Sequence, residues 1–529
     1  MCGIAIAIDW PGAVEAVRGL IAGVRHRGDI TDPVLAPWPG TAMGTRRLRI
    51  VDGEHAIQPL LSFDGRLAVS FNGEIYNHAE LRRELEAMGI PFRTASDTEV
   101  LANALRAWGH RSLERIVGMY AFVAVDIAHR EFLAARDPFG VKPLYLIQSD
   151  HRFLFCSEIR PLLDATESGE VMLVPPGYLL TRKICAPFRS AITEEAGPLS
   201  QGAAPTLDRL LREAVRKRLP PDLPFALMFS GGIDSTLIAH YAREFRPAAP
   251  GYILADEAAP DHPYAREYAD LTGFDLRPVA FDAGSEAVFS LIDDAVEVSE
   301  SFDPNCIRGA VCSLLVARRM HEDGFRVALC GEGADELFCG YAPLELAFHE
   351  SDDEGRRLRD ELLHLMHRVS LQRVDRCSMR FQLETREPFL DPAVARYALA
   401  LDRTALIRET GGWPRGKQAL RELYDLYPGE LPARIRDRRK VPFGEGSGLD
   451  AGPAGSPWKR RFHDLVSDRD FKDAQREFAG FDIASKEELY YLRKLSQKLD
   501  VRRVSHLRGR AQISFRLTQQ LPRLREYAL

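Results

Sequence analysis

The chain has 529 residues, of which 45% are hydrophobic and 28% are charged, and its formal net charge at pH 7 is -6. A single hydrophobic core rarely organises so long a chain, so two or more domains are expected. The composition is that of a soluble globular protein, and the spread of Lys and Arg argues against a nucleic-acid partner. The sequence has neither an apolar run of about 18 to 20 residues nor a signal-peptide pattern, so we expect a cytoplasmic protein with no membrane partner.

One of the eight cysteines stands in a reactive context. The set contains no CxxC pair and no Cys/His zinc spacing, so reduced thiols are expected. Cys2 follows Met1 directly, and removal of Met1 would make Cys2 the N-terminal residue. A free α-amine has a pKa of about 7.7 to 8.0 and can take the proton of the thiol. The resulting thiolate would be a strong nucleophile.

The first part of the chain, to about residue 180, alternates short β-rich runs with turns and predicts a mixed sheet-and-helix domain. Residues 78–88 favour a helix. Residues 185–206 are rich in Ala, Pro, Gly and Ser and predict a linker, with a domain boundary near residue 200. The clearest strand patterns are 67–71, 121–125 and 153–155.

The second part alternates helical patterns with continuous apolar strands, which is typical of a doubly wound parallel sheet. Beyond about residue 353 the pattern becomes mostly helical and charged. The predicted helices are 207–218, 236–245 and 308–323, and the predicted strands are 225–229, 251–254 and 326–329.

A loop of small residues, Ser230-Gly231-Gly232-Ile233-Asp234-Ser235, follows the predicted strand 225–229 and precedes a helix that opens at Thr236. Small residues let the backbone approach an anion, and the N–H groups and the helix dipole would hold pyrophosphate. This order of elements resembles the pyrophosphate loop of ATP pyrophosphatases, which adenylate a carboxylate and release pyrophosphate.

A second strand ends in Cys330-Gly331-Glu332-Gly333-Ala334-Asp335-Glu336. Three carboxylates so close together repel one another unless a cation compensates them. Hard oxygen ligands from Asp335 and Asp234 would hold Mg²⁺ that also bridges the phosphates of ATP. The alternative is a solvated acidic turn.

Over nearly its whole length the chain resembles glutamine-dependent asparagine synthetases of the class II amidotransferase type. The resemblance rests on motifs that occur in the order of that family. They are Met1-Cys2-Gly3-Ile4, Arg25-His26-Arg27-Gly28-Asp29, Arg47-Leu48-Arg49-Ile50-Val51-Asp52, Phe71-Asn72-Gly73-Glu74-Ile75-Tyr76-Asn77, Ser96-Asp97-Thr98-Glu99-Val100, Arg136-Asp137-Pro138-Phe139-Gly140, Ser230 to Ser235, Gly331 to Glu336, Glu384-Thr385-Arg386-Glu387-Pro388-Phe389-Leu390-Asp391 and Arg439-Lys440-Val441-Pro442-Phe443-Gly444-Glu445-Gly446.

The resemblance implies an α/β and α+β protein with two domains. Residues 2–200 would form an Ntn-type αββα glutaminase sandwich. Residues 201–529 would form an ATP-pyrophosphatase domain with a doubly wound parallel sheet and a helical C-terminal part. The implied cofactors are ATP and Mg²⁺, the implied partners are L-glutamine, ATP and a carboxylic-acid acceptor, and a homodimer is the implied assembly.

In the glutaminase half, the family implies that Cys2 attacks the side-chain amide of glutamine and gives a glutamyl thioester and ammonia. The Asn72 side chain and the Gly73 backbone N–H would stabilise the oxyanion.

The same resemblance implies charged residues that bind the α-carboxylate and the α-ammonium group of glutamine. Arg47 would pair with the α-carboxylate of glutamine. Glu74 and Asp97 would face its α-ammonium group, and Ile50 and Val51 complete the glutamine-binding set.

In the synthetase half, the family implies that Lys440 neutralises phosphate charge as the acyl-adenylate forms. Glu332 would deprotonate the incoming ammonium or the tetrahedral intermediate. Asp234 and Asp335 would hold the metal. The full ATP-binding set is Phe229, Ser230, Gly231, Gly232, Ile233, Asp234, Ser235, Leu254, Cys330, Gly331 and Lys440.

The acceptor pocket departs from the family pattern. Asn305-Cys306 replaces two threonines there, and Glu387 replaces a valine. A milder departure lies near the nucleotide, where Cys330 replaces a serine. A carboxylate at Glu387 would repel aspartate in a partly dry pocket. A further departure, Asp29-Ile30 in place of Pro-Asp, alters a loop of the glutaminase half. The implied acceptor-binding residues are Cys306, Arg308, Glu332, Asp335, Glu384, Arg386 and Glu387.

Three readings remain open. The chain converts aspartate to asparagine, or it amidates another carboxylic acid in specialised metabolism or sugar-acid modification, or it closes a ring as a β-lactam synthetase does. Retention of Cys2, Asn72, Gly73 and Asp97 argues against ring closure. A non-catalytic descendant would have no need of Cys2, Asp234, Asp335 and Lys440 together.

Overall fold

The computed structural model describes residues 2–188, 204–255, 259–439 and 457–508, together with Val441, Ser447 and Leu449. These residues form two compact units. The first comprises residues 2–188, 379–382 and 496–508, and the second comprises the remaining described residues. The predicted boundary near residue 200 lies outside the described residues.

The first unit contains two antiparallel sheets. One sheet has the strand order β11-β9-β10-β1-β4-β2, with β3 paired to β4, and the other has the order β13-β12-β8-β7-β6-β5. The strands are β1 (Cys2–Ile8), β2 (Ile30–Thr31), β3 (Leu35–Trp38), β4 (Thr41–Arg47), β5 (Leu60–Leu61), β6 (Leu67–Ile75), β7 (Gly118–Asp126), β8 (Glu131–Arg136), β9 (Tyr145–Ser149), β10 (Arg152–Cys156), β11 (Val171–Leu173), β12 (Tyr178–Leu180) and β13 (Cys185–Pro187).

Helices cover the outer faces of the two sheets. Helices α1 and α4 pack on the first sheet, α3 packs on the second sheet, and α2 packs against α3. The four helices are α1 (Ala13–Gly23), α2 (His78–Ala87), α3 (Asp97–Trp108) and α4 (Ile159–Ala165). The αββα arrangement expected for residues 2–200 is therefore confirmed within the described part of this unit.

Strand β6 shows how the residue pattern builds these layers. Side chains alternate between the two faces of a strand. Val69, Phe71 and Ile75 belong to the core beneath α2 and α3, whereas Ala68 belongs to the core between the two sheets, which also contains Cys2. Position 72 shares the face of Ala68, so the strand directs Asn72 toward the layer of Cys2.

The second unit is built on a five-stranded parallel sheet with the order β16-β15-β14-β17-β18. The predicted doubly wound parallel sheet is confirmed. Its strands are β14 (Phe225–Met228), β15 (Gly251–Ala255), β16 (Leu276–Ala280), β17 (Val327–Leu329) and β18 (Glu384–Arg386), and a separate hairpin pairs β19 (Arg408–Thr410) with β20 (Trp413–Arg415).

The helices of the second unit include those predicted from the sequence, and the residues beyond 353 are mostly helical as expected. The helices are α5 (Ala204–Arg218), α6 (Ile233–Phe245), α7 (His262–Thr272), α8 (Glu286–Ser299), α9 (Pro304–Glu322), α10 (Ala334–Leu337), α11 (Ala342–Glu350), α12 (Asp352–Leu365), α13 (Ser370–Met379), α14 (Pro392–Ala400), α15 (Arg403–Leu406), α16 (Gln418–Tyr424), α17 (Ala433–Asp437), α18 (Pro457–Leu465), α19 (Asp468–Glu477) and α20 (Lys486–Ser496). Within the described ranges, no helix has the length and apolar character needed to cross a bilayer.

Several boundaries differ from the predictions, and α9 begins at Pro304 rather than at residue 308. Two further differences concern the small-residue loop and the linker. Helix α6 begins at Ile233 rather than Thr236, because Gly232 takes the N-cap position and the small-residue loop ends there. The predicted linker at 185–206 begins with strand β13, which pairs with β12, and α5 already starts at Ala204. Residues 189–203, between them, lie outside the described residues.

Candidate active sites

Cys2 lies at the start of β1, opposite Arg47 in the neighbouring strand β4. Its backbone N–H donates a hydrogen bond to Asn72 Oδ1 at 2.9 Å, and only 5% of the residue is exposed. The Nδ2 atom of Asn72 is buried and has no hydrogen-bond partner among the described residues. The contact therefore fixes the Asn72 amide beside Cys2 and leaves a donor nitrogen available for a negatively charged oxygen.

Gly73 follows Asn72 on β6 and lies against β7. A Cβ atom at this position would lie 2.2 Å from the carbonyl oxygen of Met119 and 2.7 Å from Cα of Tyr120. Real Cβ atoms do not approach so closely, so only glycine allows β6 and β7 to keep this spacing. The strand next to Cys2 thus depends on the absence of a side chain at Gly73.

The Arg47 guanidinium is held by two groups of the same unit. Its Nε and Nη2 atoms donate to the two carboxylate oxygens of Asp32 at 2.7 and 3.0 Å, and its Nη1 atom donates to the carbonyl oxygen of Gly53 at 2.7 Å. Burial raises the pKa of the Cys2 thiol, and the positive charge of Arg47 opposes this rise. Arg47 is thus both a fixed cation and a neighbour that favours the thiolate.

The predicted ammonium-binding residues are also brought together. Asp97 Oδ2 accepts a hydrogen bond at 3.0 Å from the backbone N–H of Ile75, the residue after Glu74. Glu74 and Asp97 are both buried. Ile50 and Val51 are partly exposed and lie in the segment that follows β4.

The small-residue loop lies between β14 and α6, at the centre of the parallel sheet. Ser230 Oγ and Ser235 Oγ are 3.1 Å apart, and the backbone N–H of Gly232 donates to Ser230 Oγ at 3.3 Å. Gly331 approaches this loop from the adjacent strand β17, since a Cβ there would lie 3.1 Å from Asp234 Cβ. Ligands of such sheets bind beyond the carboxyl ends of adjacent strands.

Two further predicted ATP-binding residues, Phe229 and Leu254, lie on or next to the strands beside this loop. Phe229 is buried just after β14, and its N–H donates to the carbonyl oxygen of Tyr252 at 3.0 Å. Leu254 is buried within β15, the strand next to β14. Lys440 and residues 442–446 lie outside the described residues, so the role of Lys440 stays a prediction.

A lysine that the sequence did not single out lies between the two predicted metal ligands. Lys417 Nζ is 2.5 Å from Asp234 Oδ2 and 2.5 Å from Asp335 Oδ1, and the residue is 1% exposed. A Cβ at Gly340 would lie 2.0 Å from Asp335 Oδ1 and 2.4 Å from Lys417 Cε, so glycine makes room for this contact. The ammonium group balances the buried carboxylate of Asp234 and the partly exposed carboxylate of Asp335.

The donor atoms of Asp234 and Asp335 fit Mg²⁺, which prefers oxygen ligands and takes only one or two of them from protein carboxylates. In the ranges that the structure describes, no group of three or more His, Cys, Asp or Glu side chains is arranged to hold a metal ion. Two carboxylates would therefore form only part of a magnesium site, and phosphate oxygens of ATP would supply the rest.

Two predicted acceptor-binding residues, Glu332 and Glu387, lie with the predicted ATP-binding residue Cys330 around the end of β17. Cys330 Sγ lies 3.8 Å from Glu387 Oε1, and both residues are buried. Glu332 forms a salt bridge with Arg373. Burial raises the pKa of the Cys330 thiol well above its usual value, and the negative charges of Glu387 and Glu332 add to this rise.

The two arginines of the predicted acceptor set are paired with carboxylates. Arg308 Nε donates to Glu487 Oε1 at 2.8 Å, and Arg386 Nε donates to Glu384 Oε1 at 2.7 Å. Glu384 and Arg386 are fully buried within the sheet. Cys306 is buried near the start of α9, where its backbone N–H donates to Asp303 at 3.0 Å.

Comparison with known proteins identifies the family. The family model described as glutamine amidotransferase domain matches residues 1–179, and the model described as asparagine synthase matches residues 206–365 and 348–515. An asparagine synthetase [glutamine-hydrolyzing] of Triphysaria versicolor is 31% identical over 85% of this chain and 78% of its own length. A probable asparagine synthetase [glutamine-hydrolyzing] of Schizosaccharomyces pombe is 30% identical over 94% of this chain and 93% of its own.

Among solved structures, the allosteric regulatory enzyme of purine biosynthesis matches with 18% identity and a TM-score of 0.33, over 55% of this chain and 77% of that chain. The family assignment rests on the sequence matches, which span both units of the fold. The chain therefore belongs to the family of glutamine-hydrolysing asparagine synthetases that its motifs resemble.

Proposed function

We propose that the protein hydrolyses glutamine at Cys2 and transfers the ammonia to aspartate activated as an acyl-adenylate, forming asparagine, AMP, pyrophosphate and glutamate. The observation that carries this proposal is the contact between the Cys2 backbone and Asn72, whose buried Nδ2 has no partner among the residues described. A buried donor beside a nucleophile suits a reaction in which a negative oxygen develops.

In the first unit, the Cys2 thiolate attacks the amide carbon of glutamine, and the carbonyl oxygen takes up the negative charge. Asn72 Nδ2 and the backbone N–H of Gly73 stabilise this charge. The α-amine of Cys2, set free by removal of Met1, takes the thiol proton and passes it to the leaving nitrogen. Loss of ammonia leaves a glutamyl thioester, which water hydrolyses to glutamate. Arg47 binds the α-carboxylate, and Asp97 with Glu74 binds the α-ammonium group.

Substitution Gly73→Ala is expected to lower glutamine-dependent activity by about 10²-fold, because the new methyl group forces β6 away from β7 beside the oxyanion site. Ammonia-dependent activity should stay within about twofold of the wild type, because it bypasses this site. The measurement is the rate of AMP formation with glutamine and with ammonium chloride. Gly19→Ala in α1 is the control, since a Cβ there meets no atom within 4 Å; an equal loss with both nitrogen sources would contradict the prediction.

In the second unit, the loop from Ser230 to Ser235 holds the phosphates of ATP, and the acceptor carboxylate attacks the α-phosphorus. Lys417 and Lys440 stabilise negative charge on the phosphates. Mg²⁺ held by Asp234 and Asp335 would supply further positive charge to the leaving pyrophosphate. Glu332 takes a proton from the incoming ammonium or from the tetrahedral intermediate, the nitrogen of ammonia bonds to the acyl carbon, and AMP then leaves.

A second candidate function is amidation of a different carboxylic acid. The acceptor arginines Arg308 and Arg386 are each paired with a carboxylate of the chain, and Glu387 adds a buried carboxylate 3.8 Å from Cys330 Sγ. A second carboxylate on the acceptor would gain little attraction from such a site and would be repelled by Glu387. An acid bearing an ammonium or hydroxyl group near Glu387 would fit these charges.

The first experiment is to incubate the purified protein with glutamine, MgATP and L-aspartate and to follow asparagine and AMP by mass spectrometry. Asparagine formed at the rate of AMP supports the first candidate. Glutamate without asparagine supports the second candidate and directs a screen of other carboxylates. Absence of both glutamate and AMP, with each candidate acid, would refute the proposed ligase.

Substitution Glu387→Val is expected to lower the KM for aspartate by about tenfold, because it removes a like charge from the acceptor pocket. Initial rates of AMP formation at increasing aspartate give the KM. Glu387→Gln is the matched variant, since it removes the charge and keeps the size. A rise in the KM for aspartate with both variants would contradict this prediction, because it would mean that Glu387 helps to bind aspartate.

We further propose that the glutaminase domain spans residues 2–200 and the synthetase domain residues 201–529, and that the enzyme is a cytoplasmic homodimer. The two units of the fold support the division, except that residues 379–382 and 496–508 belong to the first unit. Sedimentation of the purified protein tests the assembly.

A further inference from the structure

The Asp32 carboxylate lies beside Arg47 in a buried ion pair. The side chains of Arg47 and Asp32 are 5% and 2% exposed, and both oxygens of Asp32 accept hydrogen bonds from the guanidinium. Asp32 itself is fixed by its backbone N–H, which donates to the carbonyl oxygen of Thr45 at 3.1 Å. A bidentate pair with one rigid partner fixes both the position and the plane of an arginine.

Asp32 is also connected to Gln58. The backbone N–H of Gln58 donates to Asp32 Oδ2 at 3.0 Å. The Gln58 side chain accepts a hydrogen bond at 2.8 Å from the N–H of Phe71 and donates to Thr98 Oγ1 at 3.3 Å. Phe71 precedes Asn72, and Thr98 follows Asp97. Asp32 and Gln58 therefore connect three parts of the chain that are expected to contact glutamine. These parts are Arg47, the strand that carries Asn72 and the segment that carries Asp97.

We propose that Asp32 and Gln58 are positioning residues of the glutaminase site: Asp32 orients Arg47 toward the α-carboxylate of glutamine, and Gln58 ties that arginine to the oxyanion strand and to the Asp97 segment. The inference rests on the proposed function, in which Arg47 binds this carboxylate.

The donors of Arg47 explain why orientation matters. A guanidinium carries five N–H donors. Asp32 and the carbonyl oxygen of Gly53 take three of them. The ligand carboxylate must therefore meet the remaining edge of the guanidinium. The charge of Asp32 weakens the attraction of Arg47 for any anion, but it fixes the geometry that a glutamine carboxylate requires. Such a site selects its ligand by the direction of hydrogen bonds more than by charge.

The test compares Asp32→Asn with the control Asp29→Asn. Asp29 forms a similar ion pair with Arg49, at 2.9 Å, but the Arg49 side chain is 44% exposed. Asp32→Asn should raise the KM for glutamine at least about tenfold and leave kcat of glutamate formation within about twofold, because binding geometry is lost and the nucleophile is kept. Asp29→Asn should change neither constant. An unchanged KM in Asp32→Asn would overturn the inference.

A second readout separates orientation from general loosening of the fold. L-Glutamine and its α-amide are compared as substrates, since the α-amide has no carboxylate for Arg47. The wild type should have a much higher kcat/KM for L-glutamine than for the α-amide. Asp32→Asn should lower the ratio of these two values by about tenfold. In a double-mutant cycle, adding Asp32→Asn to Arg47→Gln should raise the KM by less than about twofold further. Equal losses with both substrates, or additive effects in the cycle, would overturn the inference.

Gln58→Leu supplies an independent variant if Asp32→Asn does not fold. It keeps the ion pair and removes the side-chain links to Phe71 and Thr98. It should lower kcat by about tenfold and change the KM less than Asp32→Asn does, because the oxyanion strand is loosened. An unaltered kcat would overturn the role of Gln58. A wild-type protein that releases no glutamate would instead refute the proposed function itself.

Discussion

The variant Cys2→Ala is expected to lose glutamine-dependent amidation by at least about 10³-fold while ammonia-dependent amidation remains, because alanine has no nucleophile to form the thioester. The core between the two sheets should tolerate the change, since Cys2 is a small side chain among apolar residues. The rate of AMP formation is measured with glutamine and then with ammonium chloride, at saturating ATP and acceptor. The ratio of the two rates isolates the first site from the second.

Cys156→Ala is the matched control for this variant. Cys156 is also buried and lies on β10, the strand that pairs with β1. Its replacement should cost a similar small amount of packing and leave both rates within about twofold of the wild type. Glutamine-dependent activity that survives in Cys2→Ala would refute Cys2 as the nucleophile. Loss of both activities would instead indicate a damaged fold.

The variant Lys417→Met is expected to lose adenylation by about 10³-fold with either nitrogen source. Methionine has a similar length but no charge, so Asp234 and Asp335 would face each other without the ammonium group that now lies 2.5 Å from each. ATP would also lose one cation near its phosphates. Acceptor-dependent exchange between pyrophosphate and ATP measures this step directly. Release of glutamate from glutamine without ATP should be unchanged.

A second measurement on Lys417→Met uses thermal unfolding without substrates. Loss of the ammonium group beside Asp234 and Asp335 should destabilise the second unit by about 3 to 5 kcal/mol. Added Mg²⁺ should raise the unfolding midpoint of the variant more than that of the wild type, because the metal supplies the missing charge. Lys217→Met is the control, since Lys217 lies 3.9 Å from Asp391 and is 25% exposed. Normal exchange in Lys417→Met would refute its role in adenylation.

The sequence predicted the second unit well because its strands are continuous apolar runs bounded by turn residues. Such runs identify buried parallel strands without knowledge of their partners. The observed β14, β15 and β17 lie within one or two residues of the predictions. The start of α6 was predicted three residues late, since small residues at a helix N-terminus have the same composition as a loop.

Side-chain partners far apart in sequence were not predictable. Lys417 takes the N-cap position just before α16, 183 residues from Asp234, and no motif marks it. Its position follows from a backbone with positive φ at Lys417 and from the small size of Gly340, which only the folded chain reveals. Glu487, the partner of Arg308, is similarly distant, at 179 residues. Motifs supplied the candidate reacting groups, whereas the residues that contact and orient these groups became visible only in the structure.

The pairing of strand β6 also restricts where related chains can gain or lose residues. It pairs with β7 along all nine of its residues, from Leu67 to Ile75. One inserted or deleted residue before Asn72 would invert every following side chain and turn this amide toward the helices. Two residues would restore its direction. Homologous chains that keep this reaction should therefore differ in length between β5 and Asn72 only in the turn that joins β5 to β6. Insertions or deletions of a single residue within β6 should be selected against.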